Sequence, residues 1–186
     1  MSGLAEYQRS IRDLLKNRAT RETRDPHLDE VARSPELVLL RDIAVWWREM
    51  AVDANCVWTA GLLRKYGIFH PLVESFYCNA NVSPYVELAS EQFLARLSGH
   101  DDPLIASLAQ FELAVMKVRQ GDTQEHRIAW DRNPDDLFVC LKSASDVPPT
   151  DPDWSYITYV SQQIPDLVRC DRVARNQDLT TEPRRH

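Results

Sequence analysis

The chain has 186 residues, of which 44% are hydrophobic and 27% are charged, and these proportions are typical of a globular protein with a buried core. Its formal net charge of -6 argues against general nucleic-acid binding, which needs Lys and Arg to neutralise phosphates, but leaves room for a local basic patch. The first residues do not resemble a secretory signal, and no stretch approaches the roughly 18 apolar residues that cross a bilayer. We therefore expect a cytoplasmic protein without a membrane partner.

Proline and glycine mark the predicted helix boundaries. Six of the eleven prolines follow a residue that can open a helix, and proline suits the first helical position because no amide there needs a partner. These pairs are Asp25-Pro26, Ser34-Pro35, His70-Pro71, Ser83-Pro84, Asp102-Pro103 and Asn133-Pro134. Gly67, Gly99 and Gly121 each end an apolar stretch, where glycine can take the left-handed conformation that caps a helix.

Apolar residues recur with helical spacing through the first two thirds of the chain. The predicted helices cover residues 3–17, a long stretch from 35 to 66 with a break near 53–55, and residues 83–97 and 102–120. A polar linker with Arg18, Arg21 and Arg24 follows the first helix. The aromatic side chains of these helices are expected to fill a core rather than to hold a cofactor.

The pattern changes after Gly121. Alternation over His126–Trp130 predicts a short strand, and the segment 134–143 predicts a helix. Three prolines between residues 147 and 152 predict a loop. The next segment, 154–160, is rich in aromatic and β-branched residues, which favours a strand and leaves a helix as the open alternative.

These patterns predict a mainly α protein, in which an N-terminal helical bundle is followed by a small α/β C-terminal region. The expected division is a helical domain at 1–121, a small α/β domain of peptide-binding type at 122–173, and a flexible tail at 174–186, where few apolar residues remain.

Motifs that carry chemistry are missing from the sequence. It has no G-x-x-x-x-G-K, G-x-G-x-x-G, G-x-S-x-G or H-E-x-x-H. His70 with Glu74, or His27 with Glu30, could supply two metal ligands, but a capping or surface role is favoured for both pairs. We therefore predict no catalytic residue, no bound metal and no cofactor. Glu112 lies beside the apolar face of its helix, where an ion pair at the rim is the expectation.

The four cysteines are Cys56, Cys78, Cys140 and Cys170, and no two of them form a C-x-x-C. Wide spacing predicts reduced and mostly buried thiols rather than a disulfide framework or a zinc site. Cys78 precedes the polar run 79–81, so it is the thiol that we expect to be the most exposed.

The strand at 154–160 is the best candidate for binding another molecule. Its alternation places Tyr156, Thr158 and Val160 on one face and Ile157 and Tyr159 on the other. A small α/β region with an unpaired strand edge can capture an extended peptide, although such a strand can also simply close a small sheet. The candidate peptide-binding residues are Trp154, Tyr156, Thr158, Tyr159, Arg169 and Arg172.

The order of several segments resembles a known family. The runs 85–94 and 106–114 are followed by His126–Trp130, the helix that opens at Asn133, and the segment 156–160. This order resembles the partner proteins of multinuclear non-haem iron oxidative enzymes, which modify cysteines in ribosomally made peptides, as in methanobactin and 3-thiaglutamate biosynthesis. The resemblance covers roughly residues 35–172 and rests on element order rather than on an invariant motif.

The resemblance implies a non-catalytic subunit that forms a heterodimer with such an enzyme and helps to present its precursor peptide. The iron ligands of these pairs belong to the enzyme subunit, so no catalytic residue is carried over to this chain. Two other readings stay open. One is a helical regulator or adaptor that binds DNA through the arginines of the linker at 16–24, or binds another protein. The other is an all-helical enzyme that uses Cys78 or His70.

Overall fold

The computed structural model describes residues 3–16, 26–83, 85–143 and 145–175. Seven helices come first: α1 Gly3–Leu15, α2 Pro26–Arg33, α3 Glu36–Asn55, α4 Val57–Lys65, α5 Phe69–Asn79, α6 Val86–Leu97 and α7 Pro103–Arg119. They are followed by β1 His126–Trp130, α8 Pro134–Lys142, β2 Trp154–Val160, a 3₁₀ turn at Pro165–Leu167, and β3 Val168–Ala174. The predicted fold class, mainly helical with a small sheet near the C terminus, is confirmed.

Two of the predicted helix starts carry the expected side-chain caps. The carboxylate of Asp102 accepts hydrogen bonds from the amides of Leu104 (2.8 Å) and Ile105 (3.4 Å) at the start of α7. The side chain of Asn133 accepts a hydrogen bond from the amide of Asp135 (3.0 Å) at the start of α8. His70 does not open a helix, because α5 already begins at Phe69.

The predicted break in the long helical stretch is confirmed, and it falls at Cys56. This residue leaves the helical conformation (φ -122°, ψ 53°) between the end of α3 and the start of α4. Two of the three glycine caps are also confirmed, because Gly67 after α4 and Gly121 after α7 have positive φ. Gly99 has no positive φ, so its predicted left-handed cap is wrong.

One continuous cluster of buried side chains joins the helices to the sheet. It includes Leu63 on α4, Leu108 on α7 and Ile128 on β1. An aromatic row extends it, in which Phe138 on α8 lies 4.9 Å from Trp58 and 5.1 Å from Phe111 between ring centroids. The core therefore passes across residue 121, and the division into two domains at that point stays a prediction.

A second, smaller cluster attaches the first two helices to the rest of the protein. Leu14 of α1, Leu28 of α2 and Leu37 of α3 are its buried members. The ammonium group of Lys16 also donates a hydrogen bond to the carbonyl of Ala80 (2.8 Å), which follows α5. These contacts place α1 and α2 against the first half of α3.

The sheet is antiparallel, with the strand order β1-β2-β3. The strand predicted at 154–160 is confirmed as β2, and the helical alternative for this segment is wrong. β3 was not predicted, because its charged residues obscure the alternation of the strand. The predicted tail begins on Ala174, the last residue of β3, and residues 176–186 lie outside the described residues.

Among the described helices, none combines the length and apolar character that crossing a bilayer requires.

Candidate functional site

The six candidate peptide-binding residues lie on β2 and β3, but on two different faces of the sheet. Directly paired residues of neighbouring strands share a face, and Tyr156 pairs with Arg172. Tyr156 and Thr158 are buried on the inner face, which packs against α7. Tyr159 and Arg169, which also pair, lie on the outer face. The structure thus does not bring the six residues together into a single site.

Thr158 is buried and makes a hydrogen bond inside the sheet. Its hydroxyl oxygen accepts a hydrogen bond from the indole Nε1 of Trp130 (2.9 Å), and both side chains are buried. A buried indole N–H needs such a partner, because an unpaired donor in the core costs free energy. Thr158 therefore supports the sheet from inside.

Tyr156 holds the loop that leads into β2. Its hydroxyl donates a hydrogen bond to Oδ2 of Asp151 (2.9 Å), whose Oδ1 accepts from the amides of Asp153 and Trp154 (3.1 Å each). Burial raises the pKa of the Asp151 carboxyl, but these three hydrogen bonds outweigh it and lower the pKa below its ordinary value. Tyr156 thus positions the loop, and its role in binding a peptide stays a prediction.

Arg172 and Trp154 form an accessible contact at the end of the inner face. The guanidinium carbon lies 3.9 Å from the ring centroid of Trp154 and 5.9 Å from that of Tyr156. A cation over an aromatic face is attracted by the ring's quadrupole, which orders an otherwise mobile side chain. Arg172 itself remains exposed.

The outer face carries a row of three residues across the three strands, which we call the outer row: Arg127, Tyr159 and Arg169. The guanidinium carbon of Arg169 lies 4.7 Å from the ring centroid of Tyr159, and its Nε lies 3.3 Å from a carboxylate oxygen of Asp171. Arg127 was not among the predicted residues, because its place beside Tyr159 depends on a register that the sequence does not reveal. The row suits an acidic ligand.

β3 is an edge strand of the sheet, and the hydrogen bonds at both ends of the β2–β3 ladder show which of its backbone groups point away from β2. The amide of Ser161 donates to the carbonyl of Leu167, and the amide of Arg175 donates to the carbonyl of Asp153 (3.0 Å each). Both pairs continue the ladder's register, in which hydrogen-bonded pairs alternate with non-hydrogen-bonded ones. The residues of β3 that therefore turn their N–H and C=O groups away from β2 are Val168, Cys170, Arg172 and Ala174.

The two edges of the sheet differ in accessibility. On β1 the same alternation turns Arg127 and Ala129 outward, but the carbonyl of Ala129 already accepts a hydrogen bond from the hydroxyl of Ser107 on α7 (2.8 Å). Among the described residues, only β2 packs extensively against β3. β2 has no free edge because it is the central strand, so an extended peptide would have to pair with β3.

An open groove lies beside β1, between that strand and the ends of α6 and α7. Its volume is about 260 Å³, and its charged lining is formed by Lys117, His126 and Arg127. His126 Nε2 lies 3.0 Å from a carboxylate oxygen of Asp122. None of the six candidate residues lines this groove.

The thiols differ from the expectation in one respect. Cys56 and Cys140 are buried and Cys78 is half-buried, so the prediction that Cys78 is the most exposed thiol is wrong, and Cys170 takes that place. Burial and the neighbouring Glu112 raise the pKa of the Cys56 thiol to about 12. Burial also raises the pKa of Cys170. A reactive thiol needs the opposite shift, toward the thiolate.

Glu112 is not the rim ion pair that we expected. Its two carboxylate oxygens accept hydrogen bonds from the amides of Trp58 and Thr59 (2.8 Å each), so Glu112 of α7 caps the start of α4. Burial raises the pKa of Glu112, and these hydrogen bonds oppose the shift without cancelling it. Apolar spacing could not reveal this hydrogen-bonding partnership, because the two segments are more than fifty residues apart in the chain.

Neither of the two histidine pairs that were considered as metal ligands forms a metal site among the described residues. The Nδ1 atom of His70 contacts a carboxylate oxygen of Glu49 on α3. His27 and Glu30 lie 4.0 Å apart on the surface of α2. Within the described ranges, no three His, Cys, Asp or Glu side chains come together in a way that could hold a metal ion.

No protein-family model, curated protein or solved structure matches this chain. The linker arginines Arg18, Arg21 and Arg24, on which the DNA-binding alternative depends, lie outside the described residues.

Proposed function

We propose that the chain is a non-catalytic cytoplasmic partner protein of a multinuclear non-haem iron oxidative enzyme, and that it recruits the enzyme's ribosomal precursor peptide for cysteine modification. The observation that carries the proposal is the edge of β3, where four residues turn their backbone groups away from the sheet. An unpaired edge of this kind can accept an extended peptide as an additional strand.

The side chains of β3 support a peptide of acidic character. Arg169 lies on the outer face and Arg172 on the inner face, so a paired peptide would meet one guanidinium on each side. Trp154 and Tyr159 add an aromatic surface beside these two groups. Backbone pairing supplies affinity in such complexes, and these side chains select the sequence. The alternative, a charged edge that only discourages unwanted pairing, predicts no peptide binding.

The enzyme partnership is tested first by purifying the tagged chain from its native cells, with metal content recorded. An iron-bearing enzyme in stoichiometric amount, together with a metal-free bait, supports the proposal. A bait that purifies alone, or that carries its own iron, contradicts it and favours the reading of the chain as an enzyme.

Peptide binding at the edge of β3 is tested with the variant Cys170→Pro. Proline removes an outward N–H of this edge strand, while the neighbouring bonds to β2 remain. We expect the affinity for the fluorescently labelled precursor peptide, measured by anisotropy, to fall about fivefold, since one hydrogen bond contributes roughly 1 kcal/mol.

The matched control is Cys170→Val, which removes the same thiol but keeps the amide. It should bind the peptide as the wild type does. Equal affinity for the proline and valine variants, at unchanged thermal stability, would show that the peptide does not pair with β3.

A second candidate, an adaptor that binds another protein without presenting a peptide, is favoured by the exposed apolar side chains of α3. The co-purification test applies to both candidates. The peptide-binding test separates them, because an adaptor of this kind leaves the precursor peptide unbound.

A further inference from the structure

The outer side of α3 carries a set of exposed large apolar residues, which we call the α3 apolar face. Its members are Leu39, Leu40, Ile43, Trp46, Trp47 and Met50. With 3.6 residues per turn, these six positions fall within an arc of about 120° on the helix. Trp46 is 51% exposed and Trp47 is 62% exposed, and their rings are in edge contact with centroids 5.1 Å apart.

This face is at the upper end of the apolar patches that monomeric proteins expose. Single exposed apolar residues are common, but the largest apolar patch of a monomeric protein is usually about 300–600 Å². The exposed parts of these six side chains amount to on the order of 600 Å², which approaches the roughly 800 Å² that each partner buries in a standard interface. Trp and Met are also enriched where interfaces bind most strongly.

The basic side chains of α3 face the rest of the protein, and its exposed acidic side chains lie beside the apolar face. Both arginines turn inward: Arg41 Nε donates to the carbonyl of Leu14 (2.9 Å), and Arg48 donates to the carbonyl of Ser83 (3.4 Å). The exposed charges at the apolar face are the carboxylates of Glu36 and Asp42. The exposed charges that α3 itself contributes beside the face are therefore acidic.

Asp42 begins an acidic border along one side of the face. Glu49 and Asp53 continue it at intervals of seven and four residues, which keeps all three on one side of the helix. Glu49 contacts the imidazole of His70, and Asp53 forms an ion pair with Arg64, so the charge of Asp53 is partly neutralised. Asp42 has no such ion pair among the described residues.

We infer that the α3 apolar face is the surface that docks the partner enzyme, through an apolar patch on the enzyme that is bordered by Lys and Arg. The identity of the partner rests on the proposed function, whereas the position of the face and the charge of its complement come from α3 itself. Complementary charges steer two different chains together, and like charges disfavour a pair of identical ones.

A second copy of the chain is therefore the poorer occupant. Each copy carries a net charge of -6, and a symmetric dimer through α3 would bring its acidic borders into the same interface. The position of α3 also suits a division of roles. α3 packs against α4, α5 and α6, while the sheet packs against α7, so the enzyme and the peptide would contact different elements.

The test measures the affinity of the purified enzyme, identified by the co-purification above, for the double variant Trp46→Ala/Trp47→Ala. We expect the dissociation constant to rise at least about 30-fold, as for the loss of interface hot spots. The matched control is Leu4→Ala/Val139→Ala, which removes two apolar side chains from α1 and α8 that are more exposed than either tryptophan. It should bind as the wild type does, and circular dichroism should show that both variants are folded.

The charge of the docking partner is tested with Asp42→Lys. We expect an affinity about 3–10-fold weaker, because the acidic border is interrupted. Glu87→Lys on α6 makes the same change in net charge at another exposed site and should have no effect.

The outcomes separate the inference from the proposed function. An enzyme that binds the wild type and the tryptophan variant equally well overturns the docking face and leaves the partnership intact. A wild-type chain that binds no such enzyme overturns both. A chain that dimerises alone in light scattering, and becomes monomeric in the tryptophan variant, overturns the enzyme as the occupant and assigns the face to a second copy.

Discussion

The two longest helices, α3 and α7, use similar apolar content in opposite ways. Over 17 residues α7 buries eight side chains, because α4, α6 and the sheet surround it. Over 20 residues α3 buries only Leu37, Val45 and Val52, and its larger apolar side chains face outward. Apolar composition therefore identifies a helix that needs a partner, but the packing of the other elements decides whether that partner belongs to the same chain.

The contrast between the buried α7 and the exposed α3 is tested most directly by replacing one leucine on each helix. Leu108→Ala on α7 leaves a cavity in the central core and should lower the free energy of unfolding by about 2–5 kcal/mol. Leu39→Ala on α3 removes the same atoms from an exposed site and should change the free energy of unfolding by less than about 0.5 kcal/mol. Urea denaturation monitored by circular dichroism measures both. Similar losses for the two variants would mean that α3 is covered within the folded chain.

The variant Glu112→Ala tests how strongly α7 stabilises the start of α4. This change leaves two buried amides at the start of α4 without acceptors, and we expect a loss of about 2–4 kcal/mol in the free energy of unfolding. Glu87→Ala, on the exposed surface of α6, is the control and should have almost no effect. A small loss for Glu112→Ala would indicate that water replaces the carboxylate.

Glu112 also gives stability a definite dependence on pH. Because burial raises its pKa in the folded state, the folded protein holds this proton more tightly than the unfolded chain does. The contribution of Glu112 to stability therefore falls as the pH rises from the ordinary Glu pKa through the raised value. Urea titrations across this range should show the fall in the wild type relative to Glu112→Gln. A constant difference between the two proteins would contradict the raised pKa.

A hydrogen bond between β1 and β2, on the face of the sheet that packs against α7, provides a smaller effect. Thr158→Val keeps the shape of the side chain but leaves the indole N–H of Trp130 without its acceptor, which should cost about 1–2 kcal/mol. The exposed Thr123→Val serves as the control. Thermal unfolding followed by Trp fluorescence measures the difference. An unchanged midpoint for Thr158→Val would show that the indole finds another partner.

The helices were predictable because their signals are local. Apolar spacing identified the helical stretches, and Asp102 and Asn133 marked two helix starts with caps that lie within three residues of their amides. The break at Cys56 was placed within a few residues for the same reason.

The features that the sequence did not reveal depend on distant partners. β3 alternates apolar and charged residues only weakly, and it is recognisable as a strand once it pairs with β2. The capping role of Glu112 depends on a segment of another helix. Spacing assigned Tyr156 and Thr158 to one face of their strand, but only the packing on α7 shows that this face is the buried one.

The small leucine cluster that attaches α1 and α2 implies that the protein does not resist opening uniformly. Its three buried members give these helices far less apolar contact than the central core gives α7. Local unfolding requires only the free energy of the contacts that it breaks. The first two helices can therefore detach from the start of α3 in excursions that leave the sheet and the central helices folded, and the backbone amides of α1 would exchange with solvent long before those of α7.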